Sequence, residues 1–232
     1  MSSNDTTHET PDHANPVDRN RAISWARYLM DSDEWVIMAL KVTRRTVDSR
    51  PDQPSLITVA LLNNVGNIRL EAMVKTPYMV SNEEIAQHGV DYSVVYNAKP
   101  YDQVRDDIIR AVNSREMVVW DAPVMHAALA ELDHYFNLSE RAWKFYCASS
   151  EYARFRGVKA VSGAQYEVQP LPQIGLSAVD ECRSVYKIIS EMAASSQFTD
   201  PIAGGRPGWT AEFYRPKINT GDKLKGMFGF KS

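Results

Sequence analysis

The sequence has little cysteine and no long apolar run, and each shortage excludes a class of protein. Cys147 and Cys182 are its two cysteines, and they are far apart with no CxxC or Cys/His spacing, so neither a disulfide framework nor a zinc site is indicated. The apolar runs Trp35–Leu40 and Leu56–Leu62 are far shorter than the roughly 18 residues that suggest a bilayer span. Residues 1–20 lack the basic start and apolar stretch of a secretory signal. We therefore expect a cytoplasmic protein with reduced thiols and no membrane contact.

Charge is nearly balanced along the chain, which limits how the protein could bind nucleic acid. The formal net charge is −3 and the isoelectric point is about 6.0, which argues against coating nucleic acid by bulk attraction. Such binding would need a local basic patch. The sequence offers one patch of Lys41, Arg44, Arg45 and Arg50, and a second of Arg206, Arg215, Lys217, Lys223, Lys225 and Lys231. Scattered charge on solvated loops is the alternative interpretation of both patches.

Composition divides the chain into one domain with two tails. The 232 residues, 44% of them apolar, are enough for one full-sized core. Residues 1–20 hold almost no large apolar side chain, so we expect a disordered tail there and a folded domain at 21–198. Residues 199–232 are rich in Gly and Pro and carry aromatic side chains among cations, which predicts an extension that contacts the domain, a protein partner or a second copy of the chain. The contact residues expected are Trp209, Phe213, Tyr214, Phe228 and Phe230.

Apolar periodicity predicts an α/β sheet of mixed strand direction. The run WVIMALKV is typical of a strand buried on both faces. SLITVALLN and NIRLEAMVK flank a turn of Asn and Gly, which indicates an antiparallel hairpin. MVVW indicates a fourth buried strand, and Pro123 begins the helix after it. Helical spacing and capping signals predict further helices at 22–31, 81–89, 101–113 and 178–194, so the expected architecture is a sheet covered by helices.

Several segments, in the same order, resemble the DnaQ-like (DEDD) 3′-5′ exonucleases. One such segment is NVGNIRLEAMVKTPYMVSNEEIAQHGVDYSVVYNAKPYDQVRDDIIRAV. It resembles the second and third strands of that family and the His-Gly turn after them, which is His88-Gly89 here. Its fourth strand and following helix are similar to MVVWDAPVMHAAL. One bacterial branch resembles this chain in CASSEYARFRG, YEVQPLP and AVDECRSVYKIISEMA, and in the leading helix AISWARYLMDSDEW. The resemblance covers roughly residues 22–195 and implies an RNase H-like fold, with a mixed central sheet flanked by helices.

The resemblance also implies where a catalytic site would lie. The family holds two divalent metals about 4 Å apart with carboxylates, and a histidine acts as base on the attacking water. Its Asp-x-Glu pair falls on Ala39 and Lys41, its next aspartate on His126, and its final His-x4-Asp on Leu176 and Glu181. Glu181 is the one carboxylate at these five positions. We therefore expect no intact catalytic residue, no metal and no cofactor.

Lys41 and Glu181 are expected to form an ion pair, since each would otherwise be a lone charge in a partly buried cleft. A lysine that extends to solvent from a strand end is the alternative for Lys41. A second alternative keeps some chemistry, because Asp121, His126 and Glu181 could together hold one Mg²⁺ or Mn²⁺. For His126, a helix histidine without a special role is the alternative.

The sequence is compatible with three functions. A pseudo-exonuclease could hold a single-stranded nucleic acid or a strand end without cutting it, with Tyr92 a further candidate for base stacking. The contacts expected for that function are Lys41, Arg44, Arg45, Arg50, His88 and Trp120. A protein scaffold in a nucleic-acid-processing complex would use the C-terminal extension. A weak one-metal 3′-5′ exonuclease would use the residual carboxylate set. The first two both predict a binding or scaffold module without two-metal chemistry.

Overall fold

The computed structural model describes most of the chain between residues 13 and 197. The described residues are 13, 15–47, 50–75, 81–161, 164–172 and 175–197. For residues 43–47, 50–55, 84 and 92 the description covers the backbone alone. The extension at 199–232 lies outside the described residues, so the contacts expected of Trp209, Phe213, Tyr214, Phe228 and Phe230 stay predictions.

In the described part of the chain, five strands form one mixed sheet in the spatial order β3-β2-β1-β4-β5. They are β1 Trp35–Val47, β2 Arg50–Asn63, β3 Ile68–Met73, β4 Glu116–Val119 and β5 Phe145–Cys147. The first three strands pair antiparallel, whereas β1 with β4 and β4 with β5 pair parallel. The predicted hairpin is confirmed: Gly66 has a φ of 79°, and the Asn63 side chain accepts a hydrogen bond from the Asn67 amide at 2.8 Å.

Seven helices of the described chain cover both faces of the sheet. They are α1 Pro16–Asp31, α2 Asn82–Ala86, α3 Tyr92–Tyr96, α4 Tyr101–Val112, α5 Ala122–Tyr135, α6 Ala148–Arg156 and α7 Ala178–Ala194. Buried side chains of α1, α6 and α7 form the α7-side core, and those of α4 and α5 form the α5-side core. This is the predicted α/β sheet flanked by helices. Within the described ranges, no helix is both long and apolar enough to cross a membrane.

The central strand β1 contributes to both cores because successive side chains of a strand point to opposite faces. Ile37 and Ala39 belong to the α7-side core, whereas Val36 and Met38 belong to the α5-side core. All four are at most 1% exposed. Continuing the alternation, Lys41 lies on the α7 face, just beyond the apolar run.

The folded domain begins earlier than the sequence predicts. Residues 16–20 belong to α1, so the expectation of a disordered tail reaching residue 20 is wrong for these residues. The Asn15 side chain accepts a hydrogen bond from the Val17 amide at 3.1 Å and caps the helix. Asp18 is 6% exposed and accepts hydrogen bonds from Gln165 at 2.7 Å and Tyr166 at 2.8 Å. Polar composition was misleading because these side chains cap a helix and bind a loop.

Candidate functional site

The candidate site, called the cleft below after the family position it occupies, is a cluster on the α7 face that joins Lys41 of β1 and Glu181 of α7 with the His88-Gly89 turn and Leu176. The Lys41 Nζ lies 2.5 Å from the Glu181 Oε2. Their side chains are 16% and 21% exposed, so the pair is largely removed from water. The predicted ion pair is therefore confirmed.

Local sequence places Glu181 in this cleft. Ser177 and Asp180 form a capping box at the start of α7, in which the Ser177 hydroxyl accepts from the Asp180 amide at 3.1 Å. The Asp180 carboxylate accepts from the Ser177 hydroxyl at 2.8 Å in return. Asp180 is thus used by the cap, and its neighbour Glu181 is the carboxylate that reaches β1.

The turn after α2 forms the outer wall of the cleft. Gly89 has a φ of 70°, and a Cβ placed on it would lie 3.4 Å from the Cβ of Leu176. Leu176 is 53% exposed, so it covers the turn while keeping one side in solvent. Burial, and after it the charge of Lys41, lowers the pKa of His88. His88 is therefore close enough to Lys41 to sense its charge.

Ala39, which corresponds to the family's first carboxylate, is buried in the core. Ala39 pairs with Ala60 of β2, and both are at most 1% exposed. These two small side chains let α7 approach closely, and the Cys182 Sγ lies 3.5 Å from the Ala60 carbonyl oxygen. Burial, followed by the charge of Glu181, raises the pKa of the Cys182 thiol. The thiol is therefore a packing group and an unreactive one.

The structure does not bring Asp121, His126 and Glu181 together. The Asp121 carboxylate accepts from the Val124 amide at 3.1 Å as the N-cap of α5. The His126 ring lies 4.6 Å from the Phe145 ring, edge to face, and Phe145 belongs to the α5-side core. Among the described residues, no three His, Cys, Asp or Glu side chains could hold a metal ion. The proposed one-metal set is therefore not assembled, because a helix cap and a packing contact hold two of its members elsewhere.

The remaining predicted nucleic-acid contacts have mixed outcomes. Trp120 is half-buried, and its ring packs 5.9 Å from the Tyr152 ring beside the α7-side core, as an ordinary core aromatic does. Arg44 and Arg45 follow Lys41 on β1, and Arg50 begins β2, so the backbone places all three on one two-stranded ribbon. Their side chains, like that of Tyr92, lie outside the described residues.

Thr58 is a cleft residue that sequence analysis missed. It pairs directly with Lys41 across β1 and β2, and directly opposed residues of an antiparallel pair share a face. Thr58 is 6% exposed, and its hydroxyl has no hydrogen-bond partner among the described residues. A threonine inside a strand is so ordinary that its sequence carries no signal of a site.

A concavity of about 600 Å³ lies beside the edge strand β3. Residues of β3, of α3 and of the segment between α3 and α4 line it together with Asp107 of α4, and the Lys99 Nζ lies 3.0 Å from the Asp107 carboxylate. None of the predicted site residues whose side chains the structure describes lines this groove.

Comparison with known proteins identifies the fold. No protein-family model matches the sequence, and no curated protein matches it. One similar solved structure shows 3′-end specific recognition of histone mRNA stem-loop by a 3′-exonuclease. Its TM-score is 0.53 at 16% sequence identity, and the match covers 70% of this chain and 83% of that chain. A second is the nuclease domain of 3′hExo, a DEDDh family member, bound to rAMP. Its TM-score is 0.53 at 16% sequence identity, and the match covers 69% of this chain and 91% of that chain.

A third similar structure is cell-death related nuclease 4, with a TM-score of 0.52 and 13% identity, over 69% of this chain and 63% of that chain. At such low identities the likeness shows the fold alone. The expected RNase H-like, DnaQ-like exonuclease fold is thereby confirmed.

Proposed function

We propose that this protein is a nuclease-fold module that holds the end of a single nucleic-acid strand in its cleft without cutting it, as a binding or scaffold part of a nucleic-acid-processing complex. The Lys41–Glu181 ion pair carries the proposal. It lies where the resemblance places metal ligands, and an ammonium there repels divalent cations and engages the one remaining carboxylate.

The residues present do not fit the two metal ions that the fold family implies. Mg²⁺ and Mn²⁺ are held by oxygen ligands, and a bridged pair needs several carboxylates around it. Ala39 and Leu176 offer alkyl groups at the corresponding positions, and Lys41 offers a cation. The one-metal alternative has less support, because Asp121 caps α5, His126 packs on Phe145, and the described residues include no group of three that could hold a metal ion.

Binding of a strand is supported by the fold and by the charges near the cleft. Of the proteins with this fold, one recognises the 3′ end of a histone mRNA stem-loop and another is bound to rAMP. Here Lys41 and His88 lie in the cleft, and Arg44, Arg45 and Arg50 occupy the ribbon that continues from it. Lys41 and these three arginines place four positive charges within ten residues of sequence, on a chain whose net charge is negative.

Fluorescence anisotropy with a labelled single-stranded oligonucleotide, in EDTA, tests the binding half of the proposal. We expect binding without divalent metal, and an affinity that falls steeply between about 50 and 200 mM salt because phosphate contacts release counterions. Lys41→Gln should weaken binding, whereas Lys187→Gln, which removes the same charge from an exposed site on α7, should not. Absence of binding at low salt contradicts the proposal.

The non-cutting half is tested with the same oligonucleotide in Mg²⁺ or Mn²⁺ on a denaturing gel. We expect its length to remain unchanged. If the wild-type protein shortens the oligonucleotide and Glu181→Gln does not, the protein is a working nuclease. If both proteins shorten it, the activity comes from a contaminant.

A further inference from the structure

We infer that Lys41 and Thr58 form an anion subsite for a phosphate of the bound strand, and that the Glu181 carboxylate is the resident competitor for that subsite. The inference rests on the proposed function and specifies which group of the strand the cleft recognises. It also assigns Glu181 a regulatory role, because the carboxylate must give up Lys41 when a phosphate binds.

Thr58 is the first observation behind the subsite. Its side chain lies on the same face of the sheet as Lys41, directly across the β1–β2 pair. The residue is 6% exposed, yet its hydroxyl has no hydrogen-bond partner in the described part of the chain. A buried hydroxyl without a partner is costly, so a donor retained beside a lysine points to a ligand that completes it.

The ion pair is the second observation. A carboxylate and a phosphate oxygen are equivalent partners for an ammonium, which binds either as a compact charge. The Lys41 Nζ already lies 2.5 Å from an oxygen anion, so the chain has built an anion position at this point. Glu181 fills it from α7, and a phosphate would compete for the same Nζ.

His88 lies near the subsite in the turn after α2. Its ring is half-buried, and burial followed by the charge of Lys41 lowers its pKa. The subsite itself combines one cation, Lys41, with one neutral donor, the Thr58 hydroxyl, and faces one removable carboxylate.

A purely structural ion pair makes the opposite prediction for removal of Glu181. If the carboxylate only neutralises Lys41, its loss leaves binding unchanged. If it competes with phosphate, Glu181→Gln frees Lys41, and affinity for the oligonucleotide should rise roughly fivefold, because the phosphate no longer has to displace a carboxylate from the ammonium. The matched control is Glu191→Gln, the same charge change at an exposed site on the same helix, which should shift affinity less than about twofold.

Two probes separate failure of this inference from failure of the proposed function. Inorganic phosphate should raise the melting temperature of Glu181→Gln more than that of Glu191→Gln, and adding Thr58→Val to Glu181→Gln should reduce the shift. Anisotropy reports strand binding independently. A phosphate shift without oligonucleotide binding supports the subsite and overturns the strand-holding function.

The opposite result is also informative. If Glu181→Gln leaves oligonucleotide binding unchanged or weakens it, and phosphate does not raise the melting temperature, the subsite is overturned and the proposed function still stands. If Glu181→Gln fails to fold, Thr58→Val alone decides. This nearly isosteric change should weaken wild-type oligonucleotide binding at low salt, and an unchanged affinity would contradict the inference.

Discussion

At the scale of single residues, the Lys41–Glu181 ion pair is neither fully exposed nor fully buried, so its contribution to stability should lie between those of the two kinds of pair. Exposed ion pairs contribute about 0–1 kcal/mol, and removing one partner of a deeply buried pair costs about 3–5 kcal/mol. With side chains 16% and 21% exposed, Lys41→Met should lower the free energy of unfolding by about 1–3 kcal/mol, because it leaves Glu181 as a lone, largely buried charge. Urea denaturation at neutral pH measures this loss.

Lys187→Met is the control, since Lys187 and Glu191 are 3.9 Å apart and both more than half exposed. That change should cost less than about 0.5 kcal/mol. Equal losses for the two lysine variants would show that the cleft pair is as solvent-screened as the surface pair.

His126 gives the stability of the protein a pH dependence. Burial lowers the pKa of His126 from its ordinary value of 6.5, and the buried Nε2 has no hydrogen-bond partner among the described residues. A histidine with a lowered folded-state pKa binds its proton more readily when unfolded. Its contribution to stability is therefore fully present above about pH 6.5 and is lost as the pH falls below that value.

His126→Leu should flatten the fall in urea midpoint between about pH 7 and pH 5, and some slope should remain because the pKa of His88 is also lowered. His134→Leu, at an exposed position of the same helix, should leave the slope unchanged. Identical pH profiles for wild type and His126→Leu would contradict the assignment.

Sequence patterns located the charged members of the cleft better than the neutral ones. Lys41 and Glu181 were predictable because each is a charged residue at a position that corresponds to the family's site, and a charge in a partly buried site needs a partner. Thr58 was not, because its role depends on strand register and on a missing hydrogen bond, neither of which a sequence displays. Asp121 was misjudged because an aspartate before Ala122-Pro123 is also an N-cap signal, and capping prevailed.

At the scale of elements, the start of α1 depends on a buried polar cluster. Asp18→Ala should lower the free energy of unfolding by about 1–3 kcal/mol, since it leaves Tyr166 and Gln165 without their shared acceptor. Asp102, exposed in the first turn of α4, is the control, and Asp102→Ala should cost about 0.5 kcal/mol at most. Denaturation midpoints that fall equally would imply a helix-dipole effect common to both.

Element prediction succeeded where periodicity was long and failed where it was short. The 17 residues of α7 show a full apolar stripe, whereas β5 has three residues and α3 has five. A strand as short as Phe145–Cys147 gains its identity from pairing with β4, which is tertiary information. The helix α6 was missed for a related reason, because it begins directly after that strand.

At the scale of the whole molecule, the fold should not depend on divalent metal. A ligand present at 100 times its dissociation constant adds about 2.7 kcal/mol of stability, which raises the melting temperature of a domain this size by several degrees. With Lys41 in the cleft, addition of Mn²⁺ to EDTA-treated protein should change the melting temperature by less than about 1 °C. A Mn²⁺-dependent rise that disappears in Glu181→Gln would show that the cleft binds metal.

The close packing of Ala39 against Ala60 and Cys182 also constrains which evolutionary changes are accessible to this protein. An aspartate at residue 39 would place an unpaired charge in the α7-side core, and a glutamate at residue 41 would face Glu181 as a like charge. Each step toward a metal-binding cleft is thus harmful before the others are present. If the proposed function is right, selection acting on one substitution at a time would therefore eliminate the intermediates.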